Sequence, residues 1–416
     1  MTGVTEQNIA ISVLDPDTYA NGNPDTYGLP LDQYKYLREN EPVYRQTFDD
    51  PLLINEVWVL TRYEDILTVD RDADTFAANR GFVNIWTVNP IDPTSGGKPA
   101  MLTQDGADHR RHRGVVNRTF TPSMVRRLEE KFRGYARAVV DQALAKGSFN
   151  FVTDVAHAMP MEALGDVLGV PAEDRPKFFA WVDRFAAPFD TRITPSFEAV
   201  LEAIFSLTSY AGDLAAKKRA NPDDDVVSQM VRADGADSMS EDEILGNFVL
   251  LASGAAESTR NALTHSMHQL MRDPDQMAWL RDHCDDIPDT AIQEMVRIST
   301  PFLHFVRTVT KDIEMHGQPI AEGERVCMLL PSGNFDPEVF DEPERFDLTR
   351  TPNRHLGFGR GQHTCLGKHI AVLEMKILLE ELLQRTRDIH PTGDIVYVRD
   401  VFSHGVLELP VTVSPA

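Results

Sequence analysis

Residues 355–383 read HLGFGRGQHTCLGKHIAVLEMKILLEELL, a glycine-rich loop followed by an amphipathic helical pattern. The loop places Cys365 directly before the predicted helix, where free N–H groups and the positive end of the helix dipole stabilise a thiolate. Gly359 and Gly361 allow the backbone to approach a flat ring closely. The segment therefore predicts a reactive or metal-binding thiolate, and the alternative is a buried structural cysteine in a strand-to-helix turn.

Length and composition set the class of protein. The chain has 416 residues, of which 42% are hydrophobic and 25% are charged, as in ordinary globular proteins. No apolar run reaches the ~18 residues of a membrane span, and the N-terminus lacks a signal-peptide pattern. Three cysteines without a CxxC pair argue against a disulfide framework or a zinc ribbon. We expect one domain over 1–416, with 1–30 as a surface segment, in the cytoplasm and without a membrane partner.

The charge distribution bears on partners. A net charge of −23 argues against nucleic acid as a partner. Residues 109–127 nevertheless contain six arginines and no acid. This local basic patch predicts an anionic partner surface or a bound anion.

Periodicity along the chain predicts a mainly α fold with a smaller β portion. Helical patterns dominate from about 108 to 300, interrupted by a turn at 221–225. Shorter elements are predicted at 31–40 (helix), 57–60 (strand), 63–70 (helix), 80–100 (long loop), 301–350 (strands and turns) and 396–413 (β).

The strongest predicted helix spans 240–272, where Ser240 and Glu243 form a candidate capping box. About 30 residues rising ~1.5 Å each would cross the whole domain. Its middle, residues 252–256, consists of small residues that would let a flat cofactor or substrate lie against the backbone. Gly254 costs ~1 kcal/mol in a helix interior and therefore needs a packing or functional reason.

The cysteine loop resembles the cytochrome P-450 signature, Phe-Gly-x-Gly-x-His-x-Cys-x-Gly, at every fixed position. The resemblance extends from about residue 30 to the end of the chain. It implies a triangular helical body with a long central helix, and haem b held between that helix and the cysteine loop. Cys365 would be the iron ligand, and Phe358 and Gly359 would contact the cofactor.

The resemblance also places Glu257 and Ser258 over the haem as an acid–alcohol pair that delivers protons for dioxygen activation. Two positions depart from the usual pattern, since Ala255 replaces a common glycine and Ser258 replaces the usual threonine. Thr259 could share the task. The alternative for Glu257 is an ion pair with Arg260 on a solvated face.

Further residues match family positions that hold the cofactor or the fold. The two haem propionates need cations or hydrogen-bond donors, although each candidate taken alone would be an ordinary surface group. The candidates are His109, Arg113, Arg307, His363 and, more weakly, His355. A buried structural charge network is expected from Glu294, Arg297 and Arg345.

The substrate pocket follows from family position only, and ordinary core is the alternative for every member. The expected lining is Val83, Trp86, Phe185, Phe189, Leu250, Ser253, Gly254, Phe302, Leu303 and Phe402.

The function implied is a haem-thiolate monooxygenase that uses dioxygen to hydroxylate a hydrophobic small molecule, terpenoid or steroid-like. Electrons would come from an iron-sulfur ferredoxin with its reductase, docked electrostatically on Arg110, Arg111, Arg126 and Arg127 of a monomer. Alternatives are a tailoring oxidase of a polyketide or aromatic compound and a haem protein that senses or carries a gas. A cysteine hydrolase using Cys365 and His363 is a poor alternative, because no orienting acid is evident.

Overall fold

The structure is a computed structural model that describes residues 11–50, 52–81, 83–87, 91 and 97–416, apart from the side chain of Ala256. Part of the predicted surface segment at 1–30 and part of the predicted loop at 80–100 lie outside the described residues. None of the described helices has the length and apolar character that a bilayer crossing requires.

Helices form most of the described chain, which confirms the predicted fold class. They are α1 Pro16–Ala20, α2 Leu31–Asn40, α3 Tyr63–Arg71, α4 Gly106–Val116, α5 Pro122–Lys146, α6 Ala158–Leu168, α7 Arg175–Ala186, α8 Phe197–Ala220, α9 Val226–Arg232, α10 Glu241–Arg272, α11 Pro274–Asp282, α12 Asp289–Ser299, α13 Leu330–Asn334 and α14 Lys368–Arg385.

The strands are β1 Val43–Thr47, β2 Glu56–Leu60, β3 Phe76–Ala77, β4 Ser148–Asn150, β5 His304–Val309, β6 Ile313–Met315, β7 Gln318–Ile320, β8 Arg325–Leu329, β9 Thr386–Pro391, β10 Val396–Tyr397, β11 Val406–Glu408 and β12 Pro410–Pro415. The largest sheet has the order β1-β2-β8-β5-β3. Its pairs are antiparallel except β2 with β8, which run parallel with Trp58 opposite Val326. A smaller sheet has the order β4-β12-β9, and β6-β7 and β10-β11 form two-stranded pairs.

The central helix α10 organises the helical body. Its start is the predicted capping box: Glu243 N donates to Ser240 Oγ at 3.3 Å, and Ser240 N donates to Glu243 Oε2 at 2.8 Å. Helices α6, α7, α8, α12 and α14 all pack against α10. Its middle is therefore enclosed by other elements, and the helix can present a site to the interior of the protein.

Candidate active site

A cavity of about 300 Å³ lies between α10, the loop before α14, α4 and β5. Cys365 contributes to its lining from the loop, and Glu257 and Ser258 contribute from α10. The structure therefore brings the predicted thiolate and the predicted acid–alcohol pair to one enclosed space.

The cysteine loop is held against the end of α3 by glycine and an aspartate. A Cβ at Gly361 would lie 1.7 Å from the Asp70 carbonyl oxygen, so no larger residue fits there. Asp70 Oδ2 accepts hydrogen bonds from Gly361 N at 2.9 Å and Arg360 N at 2.5 Å. Gly359 has φ +66°, in the left-handed region that glycine favours. These contacts explain why the loop needs glycine at both positions.

The Cys365 sulfur is placed where backbone donors favour its anion. Cys365 N donates to the Phe358 carbonyl at 2.7 Å, which closes the loop. Burial raises the pKa of the Cys365 thiol, while N–H groups of Gly367 and Lys368 and the charge of Arg113 act in the opposite direction. A positive metal ion at the sulfur would add to the second effect, because a coordinating thiol is deprotonated.

Two histidines and two arginines line the cavity near Cys365. His109 is buried, and within the described chain neither of its ring nitrogens has a hydrogen-bond partner. The His363 ring centroid lies 4.4 Å from that of His109, and His363 Nε2 lies 3.4 Å from Asp105 Oδ1. Burial lowers the pKa of His109 to about 4, with the charges of His363 and Arg113 acting in the same direction.

Neither of the two arginines, Arg113 and Arg307, forms an ion pair with an acid of the described chain. Arg307 on β5 is buried and donates from Nη1 to the Val306 carbonyl at 2.8 Å. Arg113 donates from Nη2 to the Thr364 carbonyl at 2.6 Å. Unpaired cations together with the unpaired nitrogens of His109 fit a dianionic group, as the two propionates of haem b require.

His355 does not belong to this cluster, and the prediction that it binds the cofactor is wrong. His355 lies outside the cavity lining. Its Nε2 is 2.9 Å from Gln293 Oε1, and its Nδ1 accepts from Gly357 N at 3.1 Å. Both ring nitrogens are therefore used to hold the loop, which makes His355 a structural residue.

Glu257 is buried and also paired, so the alternative of a solvated ion pair is wrong. Its Oε1 accepts from Arg260 Nη2 at 2.8 Å, and only 3% of Glu257 is exposed. Burial raises the pKa of Glu257 to about 8 against the opposing charge of Arg260. Arg260 Nη1 also lies 3.4 Å from Asp183 Oδ1 and 3.4 Å from His157 Nδ1. Both of these partners are partly exposed, so the network extends from the cavity to solvent.

The hydroxyls next to Glu257 face different partners. Ser258 donates from Oγ to the Gly254 carbonyl at 3.0 Å, one turn earlier in α10. The Thr259 hydroxyl lies beside Glu374 of α14, a buried residue that also lines the cavity. Burial raises the pKa of Glu374 to about 8. The sequence reasoning missed Glu374. The signal that could have indicated it is an acid at helical spacing from Ile370, on the apolar face of the predicted helix.

The structural charge network contains a different third member from the predicted one. Arg297 and Glu294 are fully buried and form two hydrogen bonds of 2.7 and 2.8 Å. The Arg345 side chain is exposed and pairs with Glu342, so its predicted role is wrong. Arg350 takes the place instead, with Nε 3.2 Å from Glu294 Oε1.

The reason is local geometry. Phe346 is buried, which directs the side chain of its neighbour Arg345 to the surface. The backbone of Arg345 still takes part, since its carbonyl accepts from Arg297 Nη2 at 3.1 Å.

Most of the predicted pocket residues line the cavity. Those that do are Val83, Trp86, Phe185, Leu250, Ser253, Gly254, Phe302 and Phe402. Leu303 is wrong: it is fully buried in the core, because neighbours in extended chain face opposite ways and Phe302 takes the cavity side. Phe189 is also wrong as a lining residue, since it lies outside the lining and contacts the Trp86 ring edge-to-face, with centroids 5.8 Å apart.

Comparisons with known proteins agree with this architecture. The family model described as Cytochrome P450 matches residues 173–394. A steroid C26-monooxygenase of Mycolicibacterium smegmatis is 33% identical over 88% of this chain and 86% of its own. A methyl-branched lipid omega-hydroxylase of Mycobacterium tuberculosis is 33% identical over 90% of this chain and 89% of its own. A solved structure, Mycobacterium marinum cytochrome P450 CYP268A2 in complex with pseudoionone, superposes with a TM-score of 0.86 at 32% identity, covering 95% and 98% of the two chains.

The fold and the cavity bring a loop cysteine and a buried acid to one enclosed space. The chain belongs to the cytochrome P450 family. Its cofactor is haem b, and it is a monooxygenase that acts on a hydrophobic substrate with dioxygen.

Proposed function

We propose that this monooxygenase hydroxylates a steroid-like or terpenoid lipid, with Cys365 as the iron ligand and Glu257 as the proton donor. The observation that carries the proposal is the single cavity in which a thiolate loop, a buried carboxyl group and an apolar wall meet. Relatives named for steroid carbon 26 and for methyl-branched lipids support this substrate class, as does the pseudoionone-bound relative.

The protein side of the chemistry follows from the contacts of the site. Haem b supplies dioxygen activation at its iron, with electron density from a cysteine thiolate helping to cleave the O–O bond. Cys365 would ligate the iron, and donors from Gly367 and Lys368 to its sulfur would moderate its electron density. His109, Arg113, Arg307 and His363 would bind the propionates.

Glu257 has the protonation state that a donor needs at neutral pH. With a pKa of about 8, its carboxyl group is mostly protonated at pH 7 and can release a proton into the cavity. Arg260 holds this carboxyl close to the partly exposed Asp183 and His157, so water that reaches these side chains can return the proton. Ser258 can hold a water molecule beside the acid once its hydroxyl leaves the Gly254 carbonyl.

An acidic iron-sulfur ferredoxin is the proposed electron donor. Arg110, Arg126 and Arg127 are exposed, and none of them forms an ion pair with any part of the chain that the structure describes. They remain available for an anionic partner. Arg111 does not, because it donates to Glu243 Oε1 at 2.5 Å, so its predicted place in the docking patch is wrong.

Turnover under labelled dioxygen tests the proposal. The holoenzyme would be supplied with a ferredoxin, its reductase and a panel of steroids and branched lipids under ¹⁸O₂. We expect products that carry one ¹⁸O atom, and a rate that falls when Arg126 and Arg127 are changed to glutamate. Consumption of dioxygen without a labelled product from any lipid would contradict the substrate class.

Unchanged rates in the reversed-charge variant would contradict the ferredoxin surface. Arg45→Glu is a matched control, because Arg45 is exposed but pairs with Glu56 and stacks over Trp58 on β1 and β2.

A further inference from the structure

Trp86 places a polar group in a wall of the cavity that is mostly apolar. The residue is buried, it lines the cavity, and its indole Nε1 has no hydrogen-bond partner among the described residues. Buried donors in native proteins are nearly always paired, so an exception asks for a partner that the described residues do not supply. The unpaired N–H of Trp86 therefore indicates a ligand atom.

His109 shows the same combination of features in the same cavity. It is also buried, lines the cavity and has ring nitrogens without partners in the described chain. There the missing partner would be an anionic group of the cofactor. At Trp86 the missing partner would be the second molecule that the cavity takes, which is the substrate.

The Trp86 ring is held in one orientation. Its backbone N donates to Asn84 Oδ1 at 3.0 Å, and the residue forms an antiparallel bridge with Leu53. Phe402 and Phe189 contact the ring edge-to-face, with centroids 5.6 and 5.8 Å away. A donor fixed in this way loses little freedom when it binds an acceptor, which favours affinity and selectivity.

Two other polar side chains of this wall form hydrogen bonds within the protein. Ser253 donates from Oγ to the Leu250 carbonyl at 3.1 Å, and Asn84 Oδ1 accepts from Trp86 N. The cationic side chains that line the cavity in the described chain all belong to the cluster assigned to the propionates. A charged carboxylate beside Trp86 would therefore lack a counter-ion, whereas an uncharged oxygen would be matched.

We propose that the Trp86 indole N–H hydrogen-bonds an uncharged oxygen, a carbonyl or hydroxyl, of the lipid substrate and thereby sets which carbon reaches the iron. This inference rests on the proposed function and names the substrate class more closely: an apolar lipid with an oxygen remote from the carbon that is hydroxylated. In apolar ligand pockets, a small number of precisely placed polar groups commonly fixes the orientation of the ligand.

Matched ligands and a matched variant test the hydrogen bond. Binding of cholest-4-en-3-one and cholest-4-ene, and of a methyl-branched primary alcohol and its alkane, would be titrated by the change in the haem spectrum. The wild-type holoenzyme should bind each oxygenated ligand about tenfold more tightly than its hydrocarbon. Trp86→Phe keeps an aromatic ring but removes the N–H, so the preference should fall below twofold, and the hydrocarbon of each pair shows how much affinity the smaller ring alone costs.

Trp58→Phe is the control, because its Nε1 donates to Glu324 at 3.2 Å outside the cavity. It should keep the tenfold preference. In the ¹⁵N-labelled, carbon-monoxide-bound ferrous protein, the indole N–H signal missing from Trp86→Phe should move downfield with the oxygenated ligands only.

Three results would overturn the inference: a preference that survives Trp86→Phe, an equal loss of affinity for both members of a pair, or failure of every oxygenated ligand to bind. Labelled product from the wild-type enzyme is measured separately. Product without any effect of Trp86→Phe refutes this inference alone, whereas absence of product refutes the proposed function.

Discussion

Glu257→Gln separates proton delivery from packing at the buried acid. Glutamine has the shape of glutamic acid and can still accept the 2.8 Å hydrogen bond from Arg260 Nη2, but it has no acidic proton. With a pKa of about 8, the native carboxyl is mostly protonated at pH 7 and loses its proton as the pH rises above 8. The substitution therefore removes a donor that is loaded under ordinary assay conditions.

The expected loss follows from the role of a positioned proton donor. Such groups contribute about 10²–10⁴-fold to a rate, so we expect kcat to fall by at least about 100-fold, while substrate Kd changes less than about twofold. In the wild type, kcat should be level below pH 7 and should decline above pH 8, because the folded protein then loses the carboxyl proton. That decline should be absent from the variant's residual rate.

The assay is steady-state product formation across pH, with substrate affinity measured by the haem spectrum. Glu374→Gln is the matched control, because Glu374 is also buried in the cavity wall with a pKa of about 8. An unchanged kcat in Glu257→Gln, or weakened binding with an unchanged rate, would refute the reasoning. A larger loss in Glu374→Gln would transfer the role to that residue.

Three further predictions concern the stability of the fold around the site. Gly361→Ala should lower haem retention and the midpoint of thermal unfolding, because the added Cβ would lie 1.7 Å from the Asp70 carbonyl oxygen. Gly134→Ala is the control: its Cβ would meet nothing within 4 Å, so the substitution should be neutral or stabilising. Arg350→Met should cost about 1–3 kcal/mol in urea unfolding, because it removes a charged hydrogen bond to a buried carboxylate. Arg345→Met should leave the urea midpoint nearly unchanged, because its side chain is exposed, and equal effects of the two substitutions would restore the predicted network. The protein should lose stability as the pH falls from about 6.5 to 4, because its buried histidines stay neutral in the folded state while the same histidines bind protons in the unfolded chain. Urea midpoints that stay level over this pH range would contradict the assignment. The buried histidines whose pKa is lowered to about 4 are His109, His268, His304 and His404.

Local signals allowed the sequence to predict the main elements. The helix predicted over 240–272 is Glu241–Arg272, because a capping box marks its start and a long apolar pattern extends it. The cysteine loop was predictable for a related reason, because it is defined by glycines and by the beginning of a helix, all within a few residues of each other. Most of the cavity lining followed from the family resemblance.

The wrong predictions concern residues whose role depends on side-chain direction or on distant partners. Leu303 and Phe302 are adjacent and equally apolar, and only the observed chain path shows which one faces the cavity. Arg345 and Arg350 are both candidates near the same motif, and the burial of Phe346 decides between them. Burial of Glu257 against other helices likewise gives its hydrogen bond with Arg260 a different role from the solvated ion pair that their spacing indicated.

The central claim is that Cys365 is the thiolate ligand of the iron, and the visible spectrum of the reduced, carbon-monoxide-bound protein tests it most directly. The wild type, Cys284→Ala and Cys327→Ala should all show the haem-thiolate band, since Cys284 and Cys327 lie outside the cavity lining. Cys365→Ala should lack the band even when haem is retained. A wild-type spectrum without the band, or a band that persists in Cys365→Ala, would contradict the account.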